Sequence, residues 1–300
     1  MNKILFFICI SILFLSNIAN AEIKTYSKTY ENEVLVGFYG RPNSKSLGIL
    51  GENNIDELVI KMREKEEYYK KSLAKENKNL QVKMAFHIIH SLATKDPGRR
   101  NDYLLGISEK SVLKYIKRAQ KENFAVILDV QLAVKTPKEA VEPLLKYLKY
   151  ENVHIAIDPE FRIPKHRRYP PGKYVGHIKA NELNELQEYV SDYLKQNNIK
   201  ENKKLIVHMF HKRMLRQKEE VKNFENIKLI YNIDGHGQAG VKVKIYNALY
   251  AREQIDKAIG GFKIFYNNDI KPLMTPQKIL GFENVGSQII EEQPYYINYH

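Results

Sequence analysis

Residues 125–161 read AVILDVQLAVKTPKEAVEPLLKYLKYENVHIAIDPEF, and this stretch decides the fold. Its two ends, Ala125 to Gln131 and Val153 to Ile157, are short runs rich in β-branched residues. The piece between them, Pro137 to Tyr150, repeats apolar positions at three- and four-residue spacing, the period of a helix. Strand, helix, strand is the βαβ unit, which builds a parallel sheet.

The alternation extends both ways. Upstream it predicts strands at Val34 to Tyr39 and Val82 to Ile89, with helices at Ile55 to Lys75 and Glu109 to Glu122. Downstream the strands are Leu205 to Phe210, Ile227 to Ile233, Phe262 to Tyr266 and Tyr295 to Asn298. The helices there are Ala180 to Gln196, Lys212 to Asn223, Val241 to Asp256 and a short one at Thr275 to Leu280. Eight strands in strict alternation within about 280 residues predict an α/β chain folded as a single-domain (β/α)8 TIM-like barrel over residues 22–300, ahead of an open doubly wound sheet. The sequence reaches His300 directly after the eighth strand, so residues 22–33 are expected to stand in for a closing helix.

Residues 1–21 carry the three-part pattern of a secretory signal peptide: Lys3, an apolar run from Ile4 to Leu15, and the ending Ala19-Asn20-Ala21. The run is shorter than the roughly 20 residues a bilayer requires. The expected mature chain therefore starts near Glu22, has no transmembrane segment, and is secreted or periplasmic. The single cysteine, Cys9, falls inside the signal, which excludes disulfides and thiol chemistry from the mature chain. The net charge of +13 permits an anionic envelope polymer as partner, and export argues against nucleic acid. Most lysines are interspersed with glutamates, as between Lys61 and Lys71, and read as solvated faces. The one compact basic cluster is Lys165-His166-Arg167-Arg168, in the longest irregular stretch, Phe161 to Lys179.

In such a barrel the reactive face lies at the C-terminal ends of the strands. Polar residues collect there: Tyr39 and Arg41, His87, Asp129 and Gln131, Asp158 and Glu160, His208, Asp234 and His236, Lys263, and Asn298. Asp158 and Glu160 are two residues apart on an extended segment, so their side chains share one face. Two carboxylates in one hollow can be driven to different pKa values, which is the division of labour that glycoside hydrolysis needs. Glu160 is the expected general acid/base; Asp158 is the expected nucleophile, stabiliser or base, with Asp129 and Asp234 tuning them. Tyr39, Arg41, His87, Gln131, Arg162, His208, His236, Lys263 and Asn298 are expected to bind substrate, with His208, Lys263, Arg162 and Arg41 balancing the acids. Tyr39, Tyr266 and Tyr299 are candidate stacking platforms for sugars. His154, at the start of a strand, is expected outside the site.

No metal and no cofactor are expected. His87, His90, His208 and His236 with the aspartates do include the ligand types of a metal-dependent hydrolase, yet no His-Glu-x-x-His or His-x-His motif is present. Nucleophile-elbow and phosphate-loop motifs are also missing from the sequence. The alternatives are a non-catalytic saccharide- or anionic-polymer-binding protein of the same fold and a metal-dependent hydrolase.

Several segments together carry a resemblance: Gly37-Phe38-Tyr39-Gly40, Gly48-Ile49-Leu50-Gly51, Asp96-Pro97-Gly98, Leu128-Asp129-Val130-Gln131, Asp158-Pro159-Glu160-Phe161, Ile233-Asp234-Gly235-His236-Gly237, Gly261-Phe262-Lys263 and Ile297-Asn298-Tyr299. Over nearly the whole mature chain they resemble a family of exported bacterial proteins, often lipoproteins, with a hydrolase-like barrel. That resemblance implies the fold and export, and no substrate. Asp158 to Glu160 alone is similar to the Asp-x-Glu at the end of the fourth strand in glycoside hydrolases such as the Chalaropsis-type lysozymes. This second likeness implies Glu160 as acid, with Asp158, Asp129 or Asp234 as partner. The chitinase pattern fits less well, because His154 and Ala156 stand where its earlier aspartates would be.

Overall fold

A computed structural model describes residues 32–76, 78–164, 166, 169–253 and 256–300. The expected signal peptide, residues 22–31, and Lys165, Arg167 and Arg168 of the basic cluster lie outside the described residues. Eight parallel strands form the centre: β1 Glu33–Gly40, β2 Gln81–Ala93, β3 Ala125–Gln131, β4 Val153–Asp158, β5 Lys203–Met209, β6 Ile227–Ile233, β7 Ile259–Ile264 and β8 Tyr296–Tyr299. Each pairs with the next in sequence, and β1 pairs with both β2 and β8, so the sheet closes on itself. The architecture is the (β/α)8 barrel that the alternation predicts.

Helices Ile55–Lys75 and Glu109–Glu122 form where the periodicity puts them, because their starts are chemically marked. Asn54 and Glu57 make a reciprocal capping box on the first, and the Ser108 side chain accepts from the Ser111 N–H on the second. Ala180–Gln196 is likewise one continuous helix. The segment after β3 starts as α-helix over Pro137–Val141 and tightens into a 3-10 helix over Glu142–Tyr147. Pro143 lacks the N–H that the next α-helical hydrogen bond requires. The helix near Val241 runs over Ala239–Tyr246 and ends in a single π turn, Asn247–Ala251.

The expected helix from Lys212 to Asn223 does not form. Two 3-10 turns, Lys212–Met214 and Lys218–Glu220, flank a two-residue strand, Leu215–Arg216, that pairs in parallel with Ile178–Lys179. Met214, Leu215, Lys218 and Val221 are buried at a spacing that imitates a helical face. Gln217 in the left-handed region (φ 56°) breaks any helix there, and the buried Lys218 ammonium donates to the Leu249 carbonyl and to Glu253 instead.

Two apolar layers result. The large one lies between the outer strand faces and the helices, and a smaller one fills the barrel with Leu35, Ala85, Ile127, Ala156, Ile206, Ile230, Ile259 and Tyr296. The Tyr296 ring lies across two glycines: a Cβ on Gly37 would stand 2.9 Å from its hydroxyl, and one on Gly261 would stand 3.1 Å from its ring. Only glycine leaves room for that phenol inside the barrel. Among the described residues no helix is long and apolar enough to cross a membrane.

Candidate active site

Side chains on a strand alternate between faces, so the residue two positions beyond an inward apolar residue also points inward. Ile127 is followed in this way by Asp129, Ala156 by Asp158, Ile206 by His208, and Ile230 by Asn232. This parity stacks a polar layer directly above the apolar one, at the C-terminal end of the barrel. Asp129, His87, His208, Asn232 and Asn298 are completely buried there.

The layer is a connected chain of hydrogen bonds and ion pairs. Asn298 Nδ2 and the Tyr296 hydroxyl both reach His87 Nδ1, which makes that nitrogen the acceptor and places the proton of His87 on Nε2. His87 Nε2 then donates to Asp129 Oδ2 at 3.2 Å. His208 Nε2 stands 3.1 Å from the same oxygen, and its Nδ1 lies 2.9 Å from Asp234 Oδ2. Lys263 Nζ completes the chain 3.7 Å from that Asp234 oxygen and 4.1 Å above the Tyr39 ring.

Burial costs every charge in this layer, so partners decide which charges survive. Burial would depress His208, yet Asp129 and Asp234 hold its pKa up at about 10, so it is an imidazolium. Burial lowers His87 to about 4, with Asp129 opposing, so His87 is neutral. Burial would raise Asp129, but His208 and His87 keep it far below the usual carboxylate range. For Asp234 the same burial is overcome by His208 and Lys263, and its pKa falls. Asp158 has no such cation in contact among the described residues. Burial, reinforced by Asp234, Glu160 and Asp129, pushes it up to about 8 against the pull of His208. Glu160 is raised by burial and by Asp234.

Asp158, Glu160 and Asp234 line one cavity of about 420 Å³ at the barrel mouth, together with Tyr39, Gln131, His236, Lys263 and the rings of Phe161, Phe210 and Phe265. The sequence pair therefore comes together as expected, and the capping role also holds: Asp158 Oδ1 accepts the Glu160 N–H at 2.9 Å. Asp129, His87, His208 and Asn298 form the floor below Tyr39, whose ring meets His87 and His208 edge-on. Gln131 accepts the Ala93 N–H while facing the cavity, and His236 packs edge-on against Phe265.

Other expected residues are engaged elsewhere. Arg41 donates to the carbonyls of Ile89 (3.2 Å) and Gly106 (3.1 Å), clamping the end of β1 to β2. Arg162 makes two contacts to Glu182, at 2.6 and 2.8 Å, outside this cavity. The acids are thus balanced by His208 and Lys263 rather than by four cations. Tyr299 and Tyr266 are not platforms of the mouth: Tyr299 faces outward, bonded to the Tyr69 hydroxyl at 2.9 Å, and Tyr266 stacks on it. His154 sits at the opposite end of the barrel, beside Lys204 and Glu33. Sequence reasoning missed Tyr296, Asn232 and His300, the last being a cavity wall whose pKa burial lowers to about 3. Strand parity was the signal that could have found them.

His87, Asp129 and His208 each offer a ligand atom within 4.8 Å of the others, residue types that zinc uses, but an ion there would require both imidazoles to give up the protons they direct at Asp129.

Fold and site define a barrel with a carboxylate-lined cup at the C-terminal ends of its strands. Neither the comparison with protein-family models nor that with curated proteins finds a match for the chain.

Proposed function

We propose that this protein is an exported hydrolase that cleaves a glycan of the cell envelope, using the carboxylates of the barrel mouth. One observation carries the reading: neighbouring carboxylates of one cavity hold opposite protonation states, Asp158 keeping its proton near neutral pH and Asp234 losing it. Glycosidic cleavage needs a proton donor for the departing oxygen and an anion facing the positive charge that develops on the sugar ring. Glu160, less buried than Asp158, donates its proton to the departing oxygen and is reprotonated at the expense of the water that completes the hydrolysis. Asp234 takes the anionic role, as nucleophile or as base for a water, which moves that role away from Asp158. Phe265 offers apolar surface to the sugar, and Lys263, His236 and Gln131 offer polar contacts. Export rests on Lys3, the apolar run Ile4 to Leu15 and the Ala19-Asn20-Ala21 ending.

The test is glycan release by the purified mature chain from a panel of envelope polysaccharides, with product analysis. Glu160→Gln and Asp234→Asn should each lower turnover by about 10²-fold or more. Full turnover by Glu160→Gln would sink the assignment, and tight binding without product would favour the non-catalytic reading.

A further inference from the structure

Beside the mouth, on the other side of the Pro159–Phe161 turn, lies a second cavity of about 620 Å³. Phe161 lines the first cavity and Arg162 the second, so the two are adjacent along the chain. Among the described residues, three basic side chains line the second, Arg162, Lys179 and Arg216, against the one carboxylate of Glu182. Arg162 is matched by Glu182 at 2.6 Å. Lys179 and Arg216 form no ion pair among the described residues.

Their placement is built by backbone. The two-residue strands Ile178–Lys179 and Leu215–Arg216 pair in parallel with Lys179 directly opposite Arg216. Neighbouring strands lie about 4.8 Å apart, and like charges held opposite each other are unfavourable. His177 beside them has its pKa lowered by burial and then by Arg216, Arg162 and Lys179, so the positive field is concentrated in this hollow. An aromatic wall completes it: Tyr169 and Tyr174 meet edge to face at 5.1 Å, and Tyr174 is 59% exposed.

A ribbon that holds two cations side by side, next to an exposed phenol, suits a sugar ring that carries a negative group. We infer that this cavity is a subsite for an anionic unit of the glycan, a carboxylate- or phosphate-bearing sugar or linker, bound one step along the polymer from the cleavage point. Lys179 and Arg216 clamp the anion, and Tyr174 supports the ring. The inference rests on the hydrolase reading for the direction of the polymer, and binding tests it separately from cleavage.

Calorimetric titration of the mature chain with polygalacturonate, poly(glycerol phosphate) and neutral cellopentaose separates the cases. One of the two polyanions should bind with strong salt dependence, and which one does identifies carboxylate or phosphate as the anion. Lys179→Gln combined with Arg216→Gln should weaken that binding by about tenfold or more. The charge-matched control Lys110→Gln with Lys114→Gln, on the exposed face of the Glu109–Glu122 helix, should leave it unchanged. Binding of neither polyanion, or equal weakening by both double variants, overturns the subsite. Glycan cleavage that persists without any dependence on Lys179 and Arg216 overturns the subsite while leaving the hydrolase reading intact.

Discussion

His208 Nδ1 lies 2.9 Å from Asp234 Oδ2 in the wall of the barrel, and this pairing keeps Asp234 ionised while Asp158, two strands away, retains its proton. The imidazolium is fully buried and shared with Asp129. Removing one partner of a buried ion pair costs about 3–5 kcal/mol, because the remaining charge is left without compensation. His208→Gln should therefore destabilise the protein by about that amount in urea unfolding. A loss below about 1 kcal/mol would mean that the network is not charged as described.

Stability should also report the proton on Asp158. An unfolded aspartate has a pKa of about 4, and the folded value is about 8. Between those values the folded chain holds a proton that the unfolded chain has released. Stability from this group is thus present at low pH and falls as pH rises through the window, by at most about 1.4 kcal/mol per pH unit. Asp158→Asn should flatten that slope in unfolding curves taken from pH 4 to 8. An unchanged slope would place the proton elsewhere.

His208 acts in a higher window. Its folded pKa of about 10 exceeds the unfolded value of about 6.5, so its contribution is complete below the lower figure and disappears as pH passes the upper one. Alkaline unfolding with a midpoint that is insensitive to His208→Gln would contradict this.

Lys263 sits 3.7 Å from Asp234 Oδ2 and helps to lower its pKa. Lys263→Met keeps an unbranched apolar side chain and removes the charge, so Asp234 should protonate at higher pH. The acidic limb of glycan release should shift upward, and carbon NMR of the aspartate carboxyls should show the same shift without any substrate. No shift in either measurement would remove Lys263 from the electrostatics of the mouth.

Gly176 ties the loop to the site: its N–H donates to the Glu160 carbonyl at 2.6 Å. An added Cβ would meet the carbonyl oxygens of Arg162 and Pro159 at 2.4 Å each, and backbone does not yield cheaply. Gly176→Ala should cost about 1–3 kcal/mol and lower kcat more than it raises KM, since it displaces Glu160 rather than the walls. Parent-like kcat would show that Glu160 is placed without this contact.

The barrel was legible because strand and helix periods differ and because Asn54, Ser108 and Thr136 mark helix starts chemically. Lys212 to Asn223 misled because its buried residues fall at helical spacing while Gln217 turns the backbone left-handed. Asp158, Glu160 and Asp234 were found because acids at strand ends are conspicuous. Tyr296 and Asn232 were not, since a buried tyrosine or asparagine in a strand reads as ordinary core until the faces are sorted. The fates of Arg41 and Arg162 depend on where loop carbonyls and Glu182 fall in space, which composition does not encode.

With the phenol of Tyr296 resting on Gly37 and Gly261, the barrel axis is plugged. The hollow is a blind cup rather than a tunnel, so a long polymer cannot thread through it. Any ligand that enters the hollow must leave through the same entrance.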